Sequence, residues 1–250
     1  MFSPDRLLAA LLLPLSLSCL SCAAKHPAEI PANLAKVPAS KFCKEVEGSA
    51  SPDGRFAVAV GYSKPEGVDW EKLRWEGDGY YIDSDSPLLI NALIDRKRDR
   101  ALAVLPTEHF GTLQRYNHES LAVAWSANSS HMIAVQSWKW SSDYAVLWKL
   151  DREGRVTGEL DLLPIASQQL REALVKKDAK AAQVFRTRYE VALSEPRVND
   201  EGEVSFECWA EVPKSMEYPS VTLKVRFKAK AETGGKLTAT DLAVTDGEVE

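Results

Sequence analysis

Histidine and methionine are scarce in this chain of 250 residues, which has four of the first and three of the second. The signatures that commit a sequence to hydrolysis or nucleotide chemistry are missing. There is no Gly-x-Ser-x-Gly elbow, no His-Glu-x-x-His pair, no phosphate loop and no Rossmann fingerprint. EF-hand spacing is missing too. No cofactor and no metal is therefore expected. Positive charge is not in excess: 31 Lys and Arg stand against 36 Asp and Glu, for a net charge of −5. The bases are interspersed with acids rather than gathered in a stripe, so nucleic acid is not an expected partner. Beyond the first two dozen residues no apolar run is long enough for a helix to cross a ~30 Å bilayer core. Only four cysteines occur, and their one Cys-x-x-Cys, Cys19 to Cys22, lies beside the N-terminal apolar run rather than in a metal knuckle.

That apolar run, "LLAALLLPLSLSCL", follows Arg6. At about 14 residues it is too short to span a membrane and right for an export signal. A Leu-rich run ending in small residues and a Cys resembles a bacterial lipoprotein signal. The resemblance implies that Cys22, or else Cys19, is lipidated and begins the mature chain. Here Leu17 and Leu20 sit two places before those cysteines, where the family has Leu three places before. A conventional cut after Ala24 is the alternative, leaving a soluble periplasmic or secreted form. Residues 1–22 are thus read as signal, and 23–40, "AAKHPAEIPANLAKVPAS", as a Pro- and Ala-rich spacer without strand or helix period. Export to an oxidising compartment favours pairing of the remaining cysteines, Cys43 and Cys208.

Residues 41–246 read as one β-rich domain. "SPDGRFAVAV" opens with Pro52 and Asp53 in a type I turn and Gly54 at a positive φ. The strand after it places Phe56, Val58 and Val60 on one face. "LAVAWSANSSHMIAVQSW" repeats the strand–turn–strand grammar, and "RVNDEGEVSFECWAEV" repeats it again. Each copy continues into a further strand, turn and strand. The units are about 41–115, 116–190 and 191–246, each of roughly four locally connected strands. "WSANSSHMIAV" and "SPDGRFAVAV" resemble the Trp-Ser-Pro-Asp-Gly repeat of TolB-type β-propellers. The resemblance implies blade-like antiparallel sheets, although known propellers have four to eight blades. The expected fold is all-β with one helix: an antiparallel meander of about three blade-like repeats, either an incomplete propeller or a β-sandwich. The helix is read from Leu163 to about Phe185. In the third unit Val204, Phe206, Cys208, Ala210 and Val212 alternate with Glu203, Ser205, Glu207, Trp209 and Glu211. If that strand pairs with the alternating strand after Pro219, acids lie beside Lys224, Arg226 and Lys228 on a solvated face.

Candidate binding residues come from three places. The stretch 68–87, "VDWEKLRWEGDGYYIDSDSP", exceeds what a blade turn needs. It sets Trp70, Trp75, Tyr80 and Tyr81 among carboxylates that include Asp83 and Asp85. Aromatics with carboxylates suit a glycan or a protein partner. In "YNHES", His118 is flanked by an amide and a carboxylate, which converge only in a loop. Trp138 and Trp140 share one strand face by period two, and could continue the aromatic surface of 68–87 or lie over the core. No catalytic residue is assigned. The expected role is non-enzymatic binding or scaffolding at the cell envelope, on a lipid anchor, with an envelope protein or glycan as partner. The alternatives are a carbohydrate-active or other hydrolase using the acidic aromatic stretch, and a small-molecule sensor.

Overall fold

The computed structural model describes residues 29–64, 74–76, 79–81, 89–105, 119–213 and 217–247. Strands β1 (Cys43–Glu45), β2 (Phe56–Tyr62), β3 (Arg74–Glu76), β4 (Gly79–Tyr81), β5 (Leu89–Asp95) and β6 (Arg100–Leu105) come first. Then follow β7 (Glu119–Trp125), β8 (His131–Trp138), β9 (Ser141–Leu150) and β10 (Val156–Asp161). Helices α1 (Leu163–Lys177), α2 (Ala179–Gln183) and α3 (Phe185–Arg188) precede β11 (Glu190–Val198), β12 (Glu203–Glu211), β13 (Val221–Ala231) and β14 (Leu237–Asp246). The long strands form three four-stranded antiparallel sheets, ordered β1-β2-β5-β6, β7-β8-β9-β10 and β11-β12-β13-β14, and β3 pairs with β4. The protein is all-β with a helical insert and a repeated sheet architecture.

The same turn chemistry recurs where the second strand of each sheet begins. In the first sheet Ser51 Oγ accepts the N–H of Phe56 at 2.9 Å and donates to Asp53 Oδ1 at 2.6 Å, with Gly54 at φ +67°. In the second, Ser126 Oγ accepts the N–H of His131 at 3.0 Å and donates to Asn128 Oδ1 at 2.9 Å. Ser129, at φ +60°, takes the place of Gly54 there. The third turn is one residue shorter, and Asn199 Oδ1 accepts the N–H of Glu203 at 2.8 Å. These side chains satisfy backbone donors that the hairpin leaves without a ladder partner. The turns also touch one another. Asp53 N–H donates to Ser129 Oγ at 3.4 Å, and Asn128 N–H donates to Asp200 Oδ1 at 2.8 Å.

Burial sets the stacking order. Met132, Ala134, Val146 and Trp148 of the second sheet pack on Phe56, Val58, Val60 and Leu93 of the first. Ile133, Val135, Ala145 and Leu147, on the opposite face, pack with α1 and with Val204, Phe206, Val225 and Phe227 of the third. The second sheet is therefore covered on both sides, and β8 reads as a continuous apolar run rather than an alternation. A fully buried Asp95 lies at the turn end of the first sheet. It is held by Arg55 Nη2 at 3.1 Å and Arg98 Nη1 at 3.6 Å, and Arg55 also donates to the carbonyl of Arg152 on the second sheet. In the third sheet β12 pairs with β13, setting Glu203 opposite Lys228 and Glu207 opposite Lys224, and Lys224 Nζ lies 3.2 Å from Glu207 Oε1.

Three expectations are corrected. The helix does not run unbroken to Phe185. Asp178 is extended at φ −154°, and its side chain accepts from the N–H groups of Lys180 and Ala181, which ends α1 and starts α2. The spacer is structured over its second half. Leu34 and Ala39 are buried with Phe42 and Cys43 against Ala57, Ala59, Ala92 and Ile94, so this segment covers the outer face of the first sheet. Cys43 and Cys208 are free thiols, not a disulfide. Cys43 belongs to that outer cluster and Cys208 to the core around the third sheet, with the second sheet between them. Burial raises both thiols, and Cys208 is pushed up to about 12. Cys19 and Cys22 lie outside the described residues.

Candidate functional site

The alternation of strands gives the stack two ends. The Ser- and Asn-led turns lie at one. At the other, β2 ends at Tyr62, β5 begins at Leu89 opposite it, β6 ends at Leu105, and β7 begins at Glu119 opposite Trp138. The stretch 65–88, the connection 106–118 and the β8–β9 hairpin are all attached at this second end. Of the sequence-predicted residues, Trp70, Asp83, Asp85 and His118 lie outside the described residues. Trp75 and Tyr80 are paired across the β3–β4 hairpin, with Tyr81 opposite Arg74.

Trp138 and Trp140 do not share a strand face. β8 ends at Trp138, Lys139 turns at φ +34°, and the N–H of Trp140 donates to the carbonyl of Trp138, so the period of two is broken between them. Trp138 is half-buried. Trp140 is 37% exposed, and Lys139 Nζ sits 5.2 Å from the centre of its ring.

A second arrangement near this hairpin was not read from the sequence. Where β11 crosses the face of the second sheet, a cleft of about 300 Å³ opens between the sheets. Lys139, Ser137 and Ser141 line it from the second sheet, and Ser194, Glu195 and Trp209 from the third. The wall of the second sheet is fixed by Ser142, which is buried, shares a 2.8 Å hydrogen bond with Ser137 Oγ, and accepts the N–H of Leu193 at 2.9 Å. Glu195 stands at φ +47° in a bulge of β11, between the pairs Ser194–Glu207 and Arg197–Ser205. The bulge turns its carboxylate outward, 3.2 Å from Arg197 Nη2. Two residues with side chains at positive φ, Lys139 and Glu195, thus line one cleft. Each such conformation costs about 1 kcal/mol or more, and strain of this kind gathers at ligand sites. The signal available in the sequence was "SEPR", where Pro196 interrupts a strand pattern, but nothing local connects it to Lys139 or Trp209.

At the turn end, His131 is buried and its Nδ1 lies 3.0 Å from Ser130 Oγ. Burial lowers its pKa most; Lys149 adds to the lowering and Asp200 opposes it. The Asp161 carboxyl is raised, chiefly by burial, against the Leu163 N–H that it accepts. No group of three or more His, Cys, Asp or Glu among the described residues is placed to hold a metal ion. Compared with family models and with curated proteins, the chain matches neither a family nor a curated sequence.

Proposed function

We propose that this is an exported envelope protein, held at a membrane by a lipid on Cys22, whose three-sheet stack is a scaffold for binding a partner protein. The observation that carries the binding role is the β8–β9 hairpin. Its tip holds an exposed Trp140 capped by Lys139, at the end of the stack where the aromatic stretch 68–87 is also attached. A partly exposed Trp is the residue type enriched among interface hot spots. The lipoprotein-like signal supports the anchor. Among the described residues no helix is long and apolar enough to cross a membrane.

Both halves are tested in the native envelope. Cys22→Ala should move the protein from the membrane to the soluble fraction, and mass spectrometry of the wild type should show a lipidated Cys22 at the N-terminus. A chain beginning at Lys25 overturns the anchor. A photo-reactive residue at position 140 should give one discrete cross-linked partner, and the same residue at position 242 should not. Absence of an adduct at 140 overturns the hairpin as the contact.

A further inference from the structure

The geometry points to a sugar-binding site in the cleft between the second and third sheets, sized for one pyranose unit and bordered by Lys139 of the β8–β9 hairpin. Four observations combine. The volume, about 300 Å³, is at the lower end of small-ligand pockets. Its polar lining is rich in hydroxyls, including Ser137, Ser141 and Ser194, which both donate and accept and so match ligand hydroxyls in either sense. The half-buried indole of Trp209 offers a flat apolar platform, the shape that the C–H face of a pyranose needs. Lys139 and Glu195 add one strong donor and one strong acceptor, the charge-assisted bonds that orient a polyol.

The bound class follows from how these groups are already engaged. Glu195 has Arg197 beside it at 3.2 Å, so its carboxylate keeps acceptor sites but is not an uncompensated charge waiting for an ammonium. Lys139 rests over the Trp140 ring. A neutral polyol uses both without displacing either partner, whereas a zwitterion would have to compete with Arg197. The backbone strain at Lys139 and Glu195 fits this assignment, because both cleft-lining residues are held at positive φ.

The test is saturation-transfer NMR on the mature chain with glucose, galactose, mannose and N-acetylglucosamine, and with glycine as the zwitterionic control. At least one sugar should receive saturation and glycine should not. Glu195→Gln, at an exposed position that does not threaten folding, should weaken the affinity about tenfold, the loss of one charge-assisted bond. Trp209→Phe should keep binding, and Trp209→Ala should abolish it. Leu242→Ala, at an exposed position outside the cleft lining, should leave it unchanged. Transfer to no sugar, transfer to glycine alone, or transfer indifferent to Glu195→Gln overturns the assignment.

Discussion

His131 shows how a single side chain sets a pH dependence. Its ring is buried, and burial favours the neutral form. The folded pKa is thus depressed below the ordinary 6.5, while the unfolded chain titrates at that value. As pH falls below 6.5 the unfolded state takes up a proton that the folded state refuses, so stability is fully present above that pH and declines beneath it. His131→Asn should flatten this decline, measured as the urea midpoint compared at about pH 7 and pH 5. An equal decline in the variant would exclude His131 as its source. Asp161 acts with the opposite sign. Its raised carboxyl prefers the proton in the folded state, so its contribution improves as pH falls towards 3.8. Asp53, Asp99 and Asp151 are lowered, and their stabilisation is lost only as pH falls from 3.8 downward.

At the scale of the element, the repeated turns are where local sequence most directly determines structure. Ser126 is fully buried, and its Oγ answers the N–H of His131 at 3.0 Å and of Ser130 at 3.2 Å. Ser126→Ala strands the His131 N–H in a buried site, while the N–H of Ser130 keeps Asn128 Oδ1 at 2.9 Å. The expected cost is about 1–3 kcal/mol, measured as the shift in urea midpoint at constant slope. A loss under about 0.5 kcal/mol would mean that the turn holds without its cap. Turns and alternating strands were legible because their causes lie within a few residues: Gly54 at positive φ, Asn199 before Gly202, and the β12–β13 register written in alternating Glu and Lys. The break of the helix at Asp178 was legible in principle, since Asp is an N-cap residue, but the apolar residues Leu170, Leu174, Ala181 and Val184 keep one helical phase across it. What could not be read was contact between elements. Lys139, Glu195 and Trp209 line one cleft only because β11 lies across the second sheet, whereas the strand period alone gives the face that Trp209 shares with the acids.

At the scale of the molecule, the stack must finish its two outer faces, because a blade-like sheet buries its apolar surface only against a neighbour. The third sheet does so with charge, its outer face carrying Glu207, Lys224 and Arg226. The first sheet cannot, since its outer face is Ala57, Ala59, Ala92 and Ile94. The chain from Ile30 to Cys43 covers it instead. Ser40 N–H and Oγ donate to Asp99 at 2.8 and 2.6 Å, and the N–H of Tyr62 donates to the carbonyl of Phe42 at 3.0 Å. The approach is so close that a Cβ on Gly61 would stand 2.5 Å from that carbonyl. No period marks such a segment, because its apolar residues are spaced by turns rather than by a helix or strand, and its Pro and Ala content resembles a tether. The two roles differ measurably. Leu34 is 2% exposed, so as part of a cover its change to Ala should cost about 2–4 kcal/mol, the range for buried Leu truncations. Gly61→Ala should cost at least as much, since the clash is with backbone that has no rotamer to change. Were the segment only a tether, Leu34→Ala would move the urea midpoint by no more than a surface substitution, within about 0.5 kcal/mol. Removing residues 29–42 should go further than either substitution, exposing the alanine face of the first sheet. That chain should self-associate in analytical ultracentrifugation while the chain that keeps residues 29–42 does not, and a monomeric, equally stable truncation would show that the first sheet needs no cover.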